Sequence, residues 1–484
     1  MQSASADYYV FIFRVNQGLN LNIFIHVEIT ARELDSKLLL AVIAASRGHD
    51  VLISDIVSIM KGAQSGALSP GIFHTKSLTS SDKKIARHQV LVDSGFPITS
   101  IDEEGGLIDH GYERFAVIRY SEKTIAQASA VFGWGVEDSQ TLKRIYSRYA
   151  SKVHQRGSPR ADLWRPRFSP FWGVPREMPE KPYLLVSSNM GSANNMRPFH
   201  ESIRFERRAG YYQRDPERFS KRFGVIAEAY RMTAAFIEAI RYLSDRSNGD
   251  YDIVLRPHPV ENIEAWRVFL EGVPNVHVIR EGSITAWVNN AFAVMHNGCT
   301  TALEATVSGT PVVTYLPFEQ EYARELPNEL GVPCESLEAL SDTVNGLFHA
   351  SRSDVSNSQE DALPESVAKK VYLDDTELAA EKIVKVWESL DNGGLSRPCN
   401  WTRFQAELKP AKLRGVVVAS LRKALPSRFG PAKENYKFPP MDAADISERV
   451  KRLQHVLGIH GGLECKLLSE RAVLIRPGKV STSQ

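Results

Sequence analysis

The chain has 484 residues, enough for two or three domains, and its 43% hydrophobic and 24% charged content is ordinary for a soluble globular protein. A formal net charge of +2 gives no case for a nucleic-acid-binding protein. Four scattered cysteines (Cys299, Cys334, Cys399 and Cys465) show neither metal-ligand spacing nor a disulfide framework, which fits a reduced, cytoplasmic setting.

Residues 1–20 read as an N-terminal extension. Their apolar scrap at 8–13 follows Asp7 without a basic leader and is too short for a signal peptide or a spanning helix. No other stretch is long enough to cross a bilayer. A strand at 21–29 leads into a long amphipathic helix at 31–47, stopped by Gly48, and a second strand follows at 51–53. That β-α-β unit predicts a parallel sheet in a first domain at 21–175. The domain also holds the acidic run Asp102-Glu103-Glu104, next to Gly105-Gly106, which reads as a flexible loop, and a helix at 137–149. A Pro- and Arg-rich stretch at 157–175 reads as an interdomain linker.

A second α/β domain at 180–392 starts with a strand at 183–186 that ends in Ser187-Ser188-Asn189. Small polar residues at such a strand end let a backbone approach a ligand closely, or form an ordinary loop. A long helix at 225–244 leads to a β-branched run at 251–255, which Arg256-Pro257-His258-Pro259 terminates. His258, between two prolines, projects from a stiff strand end. Another buried strand at 291–295 ends at Asn297-Gly298, and Thr300 and Thr301 stand at an N-cap position before Ala302-Leu303-Glu304-Ala305. Threonine hydroxyls, free N–H groups and the positive end of the helix dipole together suit an anionic phosphate. Glu304 fits either a dipole-complementing carboxylate or a ligand for a ribose hydroxyl. Ligands of open α/β sheets bind beyond such strand ends.

A helix at 375–390 closes this domain or crosses back to the first, and the character changes afterwards. Residues 393–484 read as a basic helical appendage, with eight Lys/Arg and only Glu407 acidic between 401 and 433. That strip suits either a solvated helix or peripheral contact with the anionic face of an inner membrane.

Four segments carry a family resemblance: Arg32-Glu33-Leu34-Asp35, Asp102-Glu103-Glu104-Gly105, Gly157-Ser158-Pro159-Arg160-Ala161-Asp162, and the 251–316 region. Over roughly residues 22–390 the chain resembles the bacterial surface carbohydrate biosynthesis proteins. These are similar to β-Kdo transferases and, more distantly, to sialyltransferase-like enzymes that use CMP-sugars. The resemblance implies a GT-B glycosyltransferase, with two Rossmann-like parallel-sheet domains facing a cleft. It would extend a lipopolysaccharide or capsule glycan, taking a CMP-activated ulosonic acid such as Kdo to a glycan or lipid-linked acceptor.

Carried over, His258 and Thr300 or Thr301 hold the nucleotide phosphate, with Arg256 as a nearby cation and Asn297 at the same turn. Glu103 or Glu104 is the general base. Asp215 is a candidate nucleophile, and Arg32, Glu33 and Asn189 are possible substrate contacts. No cofactor is implied, and no Asp-x-Asp cluster suggests a metal. A polyol-phosphate transferase of the CDP-glycerol type and a non-catalytic nucleotide-sugar or polysaccharide binder are the competing readings.

Overall fold

Short apolar runs rich in β-branched residues, separated by helices, build two parallel sheets. The computed structural model describes residues 20–107, 111–208, 210–214, 217–322, 325–352, 363–391, 393–409 and 437–478. The chain divides into one unit of Met1–Leu163 with Ala368–Gln484 and a second of Trp164–Val367.

The first unit contains β1 (Asn22–His26), β2 (Asp50–Ser54), β3 (Ile72–Thr75), β4 (Ile98–Ile101), β5 (Ala128–Gly133) and β6 (Val153–Gln155), all parallel. The helix Thr30–Ser46 is buried over most of its circumference, because it packs on β2, the short helix Pro159–Asp162 and two later helices, Ala379–Ser389 and Ala443–Val456. The second unit contains β7 (Tyr183–Ser187), β8 (Asp252–Arg256), β9 (Val276–Val278), β10 (Ala293–His296), β11 (Val312–Tyr315) and β12 (Val332–Cys334), in the order β12-β11-β10-β7-β8-β9. Its core gathers Phe236, Tyr251, Trp266, Phe292 and Phe348 around these strands. The Rossmann-like expectation for both domains is met.

The boundaries fall elsewhere than at 175–180 and 392. The helix Ala379–Ser389 returns to the first unit, where Trp387 Nε1 donates to Thr99 Oγ1 at 3.0 Å and Arg47 binds Glu388 through two bonds of 2.7 and 2.6 Å. The region after 393 is integral rather than appended. It supplies the helices Trp401–Leu408 and Ala443–Val456 and also a hairpin, β13 (Leu463–Ser469) and β14 (Ala472–Pro477). β14 pairs antiparallel with β2, giving the order β13-β14-β2-β1-β3-β4-β5-β6. Without it β2 would be an open edge, a ready template for aggregation. Ala472, Val473, Leu474 and Ile475 are all buried there, each large side chain contributing roughly 1.5–3 kcal/mol. Periodicity alone hid this, since the partner strand lies some four hundred residues upstream.

The stretch read as a linker at 157–175 is partly packed. Ala161, Leu163, Trp164, Phe168 and Phe171 are buried, and short helices form at Pro159–Asp162 and Ser169–Trp172. Of the basic strip, only 401–409 lies within the described residues. There Phe404 is buried and Arg403 pairs with Glu407 at 3.0 Å.

Candidate functional site

In the second sheet the chain runs from β7 out to β8 and β9, then returns to the other side of β7 for β10. The switch point therefore lies between the carboxyl ends of β7 and β10, where open α/β sheets bind their ligands. Three loops converge there, after β7, β8 and β10. With the long helix Glu217–Arg246 and residues 320 and 322 they line a pocket of 410 Å³. Asn189, His258, Asn297 and Gly298 face it from the strand ends, and Arg222 and Glu228 from the helix.

The geometry of His258 is set from both sides. Its Nδ1 accepts from Val260 N at 3.3 Å, which leaves Nε2 as the hydrogen-bearing nitrogen of a neutral ring. Its backbone N–H donates to Glu261 Oε1 at 3.3 Å. Glu261 is fully buried and also accepts from Met190 N (2.9 Å), Ser188 Oγ (2.9 Å) and Trp266 Nε1 (2.6 Å). Burial pushes its carboxyl above the usual range, against the pull of these donors. One carboxylate thus ties the β7 loop to the β8 loop. Arg280 closes the same turn from outside, donating to Glu261 O at 2.6 Å.

Asn189 Nδ2 donates to Gly298 O at 2.9 Å, and Asn297 Nδ2 donates to Tyr315 O and Gln320 Oε1, both at 2.8 Å. These bonds fix the β10 turn, where Gly298 takes a φ of 60° that favours glycine. Thr301 Oγ1 lies 3.2 Å from both Ser187 Oγ and Cys299 Sγ, a buried cluster bridging the switch point. Thr300 stands at the N-cap of the helix Thr301–Ser308, but its hydroxyl makes no capping bond.

The structure therefore brings Asn189, His258 and Asn297 to one pocket. It does not bring Arg256 there. That guanidinium is buried over Trp287, 5.4 Å from the ring centre, and donates to the carbonyls of Glu281 and Gly282. Desolvation brings it down to about 10. Glu304 is buried and accepts from Thr285 Oγ1 at 3.0 Å. Asp215 lies outside the described residues. Sequence reasoning missed Glu261, Gln320 and Arg222. Glu261 had a signal, three residues beyond His258, whereas the other two arrive only through tertiary packing.

The first sheet has its own switch point, between β1 and β3, and it collects charge. His26 Nδ1 meets Thr75 Oγ1 at 3.1 Å, and burial lowers this imidazole to about 3, so it is neutral. Lys76 pairs with Glu28 at 2.8 Å and reaches Glu33 at 3.5 Å. Burial and neighbouring Lys76 bring Lys84 down to about 8.

The acidic run is divided in its roles. Asp102 takes a two-pronged contact from Arg119 at 2.9 and 2.8 Å. Glu103 is buried against Lys37 at 2.5 Å. Glu104 keeps a side chain 40% exposed, with Arg32 at 3.0 Å. Glu33 is fully buried and accepts from Glu28 N at 2.8 Å. Of the two candidate bases, only Glu104 is open to a substrate. Gly105 and Gly106 do not serve flexibility: they form a buried turn against Trp134, whose Cε3 would lie 2.4 Å from a Cβ on Gly106.

Among the described residues no group of three His, Cys, Asp or Glu could hold a metal ion. No described helix is long and apolar enough to cross a membrane.

No family model matches the chain, and no curated protein does. Among solved structures it is similar to the UDP-GlcNAc 2-epimerase of Methanocaldococcus jannaschii, with 12% identity over 77% of this chain and 100% of that one and a TM-score of 0.46. The Neisseria meningitidis UDP-GlcNAc 2-epimerase bound to UDP-GlcNAc gives 10% identity over 77% and 100%, with a TM-score of 0.41. The wall teichoic acid polymerase TagF gives 10% identity over 66% and 71%, with a TM-score of 0.36. Likenesses this remote identify neither an activity nor a substrate.

Proposed function

We propose that the protein is a glycosyltransferase acting in surface glycan synthesis, with a nucleotide-linked sugar held by its second unit. The observation that carries the reading is the placement of His258. It sits at the edge of a pocket on a topological switch point, with its ring and backbone fixed by Val260 and Glu261. A preorganised donor there suits the phosphate of a leaving nucleotide, on which negative charge grows during transfer. Thr300, at the N-terminus of the next helix, does not line the pocket.

In this reading the acceptor is a ligand of the first unit, and Glu104 deprotonates its attacking hydroxyl. Glu103 holds Lys37 instead and acts as part of the scaffold. The sequence resemblance favours CMP and an ulosonic acid such as Kdo. A polyol-phosphate transfer from CDP-glycerol would use the same pocket and is separated by the nucleotide it selects.

Thermal stabilisation by CMP, CDP-glycerol and UDP is the test, because a ligand selective for the folded state raises its melting point. CMP is expected to give the largest shift. A shift with UDP and none with CMP contradicts the CMP assignment, and no shift with any nucleotide contradicts the transferase reading.

A further inference from the structure

The helix Phe199–Arg208 has no buried residue at all. It lies beside the first turns of Glu217–Arg246 through an edge-to-face ring contact, Phe199 to Phe223 at 5.9 Å, and Phe223 in turn meets Phe219 of its own helix at 5.1 Å. Large apolar side chains are left in solvent, among them Met196 at 62% exposure, Phe205 at 53% and Phe223 at 43%. Val260 joins them, since Met196 N donates to Val260 O at 3.0 Å. Isolated exposed apolar residues are ordinary, but a contiguous group of aromatics is not.

The charge around this patch is one-sided. Over 196–208 and 217–223 seven Lys and Arg stand against three Glu, while the whole chain is only +2. Lys221 and Arg222 are paired with Glu217 and Glu206. Arg197 lies over the Phe205 ring at 5.2 Å, and Arg204 and Arg208 are exposed. Phenylalanines seated among arginines are the composition of a helix that lies in a membrane interface, with its rings at the acyl boundary and its cations among anionic headgroups.

We propose that this face of the second unit docks the protein on an anionic lipid bilayer. The patch borders the pocket, since Val260 and Arg222 line both, so docking would hold the pocket near the bilayer surface. The proposal does not depend on the activity assigned above. A nucleic-acid partner would use the arginines on its phosphates without needing the phenylalanines to enter an apolar phase.

The test is co-sedimentation of the full chain with vesicles of phosphatidylcholine alone and of phosphatidylcholine with phosphatidylglycerol. The wild type is expected to pellet with the anionic vesicles, less so at high salt, and not with the neutral ones. Arg204→Glu with Arg208→Glu should lower partitioning about tenfold or more, with an unchanged melting temperature. A Phe205→Trp variant reports insertion, and its emission should shift to the blue on anionic vesicles.

Equal binding to both vesicle types overturns the proposal, as does anionic binding that survives the charge reversal, or an unshifted Phe205→Trp emission. Loss of binding on Lys412→Glu with Arg414→Glu, but not on the Arg204 and Arg208 changes, also overturns it and assigns the contact to the basic strip. Nucleotide-induced stabilisation, measured on the same samples, reports separately on the transferase reading.

Discussion

The buried carboxylate of Glu261 receives the backbone N–H of His258 at 3.3 Å, although Glu261 itself does not line the pocket. A residue that need never touch the ligand therefore sets the position of the one proposed to hold its phosphate. Glu261→Gln replaces one accepting oxygen with a donor that faces N–H and O–H groups. It should cost about 2–4 kcal/mol of stability and weaken nucleotide binding without changing its selectivity. Thermal melts with and without nucleotide measure both effects.

Glu103→Gln and Glu104→Gln should differ in kind. Removing the charge of Glu103 leaves Lys37 buried without its counter-ion, a loss of about 3–5 kcal/mol. Glu104 is exposed, so its amide variant should fold normally and lose roughly 10²- to 10⁴-fold in turnover. Denaturant melts and transfer assays on the two variants separate scaffold from base. Full activity in Glu104→Gln removes it as the base.

Gly106→Ala should destabilise the first unit by about 1–3 kcal/mol, because the added Cβ meets Trp134 inside van der Waals contact. A denaturant midpoint shift without a change in nucleotide affinity is the expected pattern.

His296 gives a pH prediction with a defined sign. Burial holds its imidazole at about 4, below the ordinary 6.5, and Nε2 meets Thr314 Oγ1 at 3.0 Å. The unfolded chain binds this proton first, so the group's contribution is full above about pH 6.5 and is lost as pH falls towards 4. The span is on the order of 3 kcal/mol. In His296→Gln that loss is absent. The melting temperature of the variant relative to wild type should therefore rise between pH 6.5 and pH 4. A pH-independent difference contradicts the buried neutral state.

Local signals carried much of the fold into view. The helix read at 31–47 forms as Thr30–Ser46, and the prolines around His258 end β8 where they should. Two kinds of information were out of reach. The β13–β14 hairpin completes a sheet begun at the other end of the chain, so no window of sequence contains the pairing. The roles within Asp102-Glu103-Glu104 depend on which cation each meets, and Lys37 and Arg119 arrive from separate helices. Arg256 was misjudged for the same reason: a cation at a strand end suits phosphate, but Trp287 and two carbonyls had claimed it.

The central claim is that His258 holds the nucleotide phosphate at the second switch point. Calorimetric titration of the stabilising nucleotide into wild type and His258→Ala tests it directly. A loss of tenfold or more in affinity, about 1.4 kcal/mol, with an unchanged melting temperature of the free protein, is the predicted result. Equal affinity in the two proteins would place the phosphate elsewhere and contradict the account.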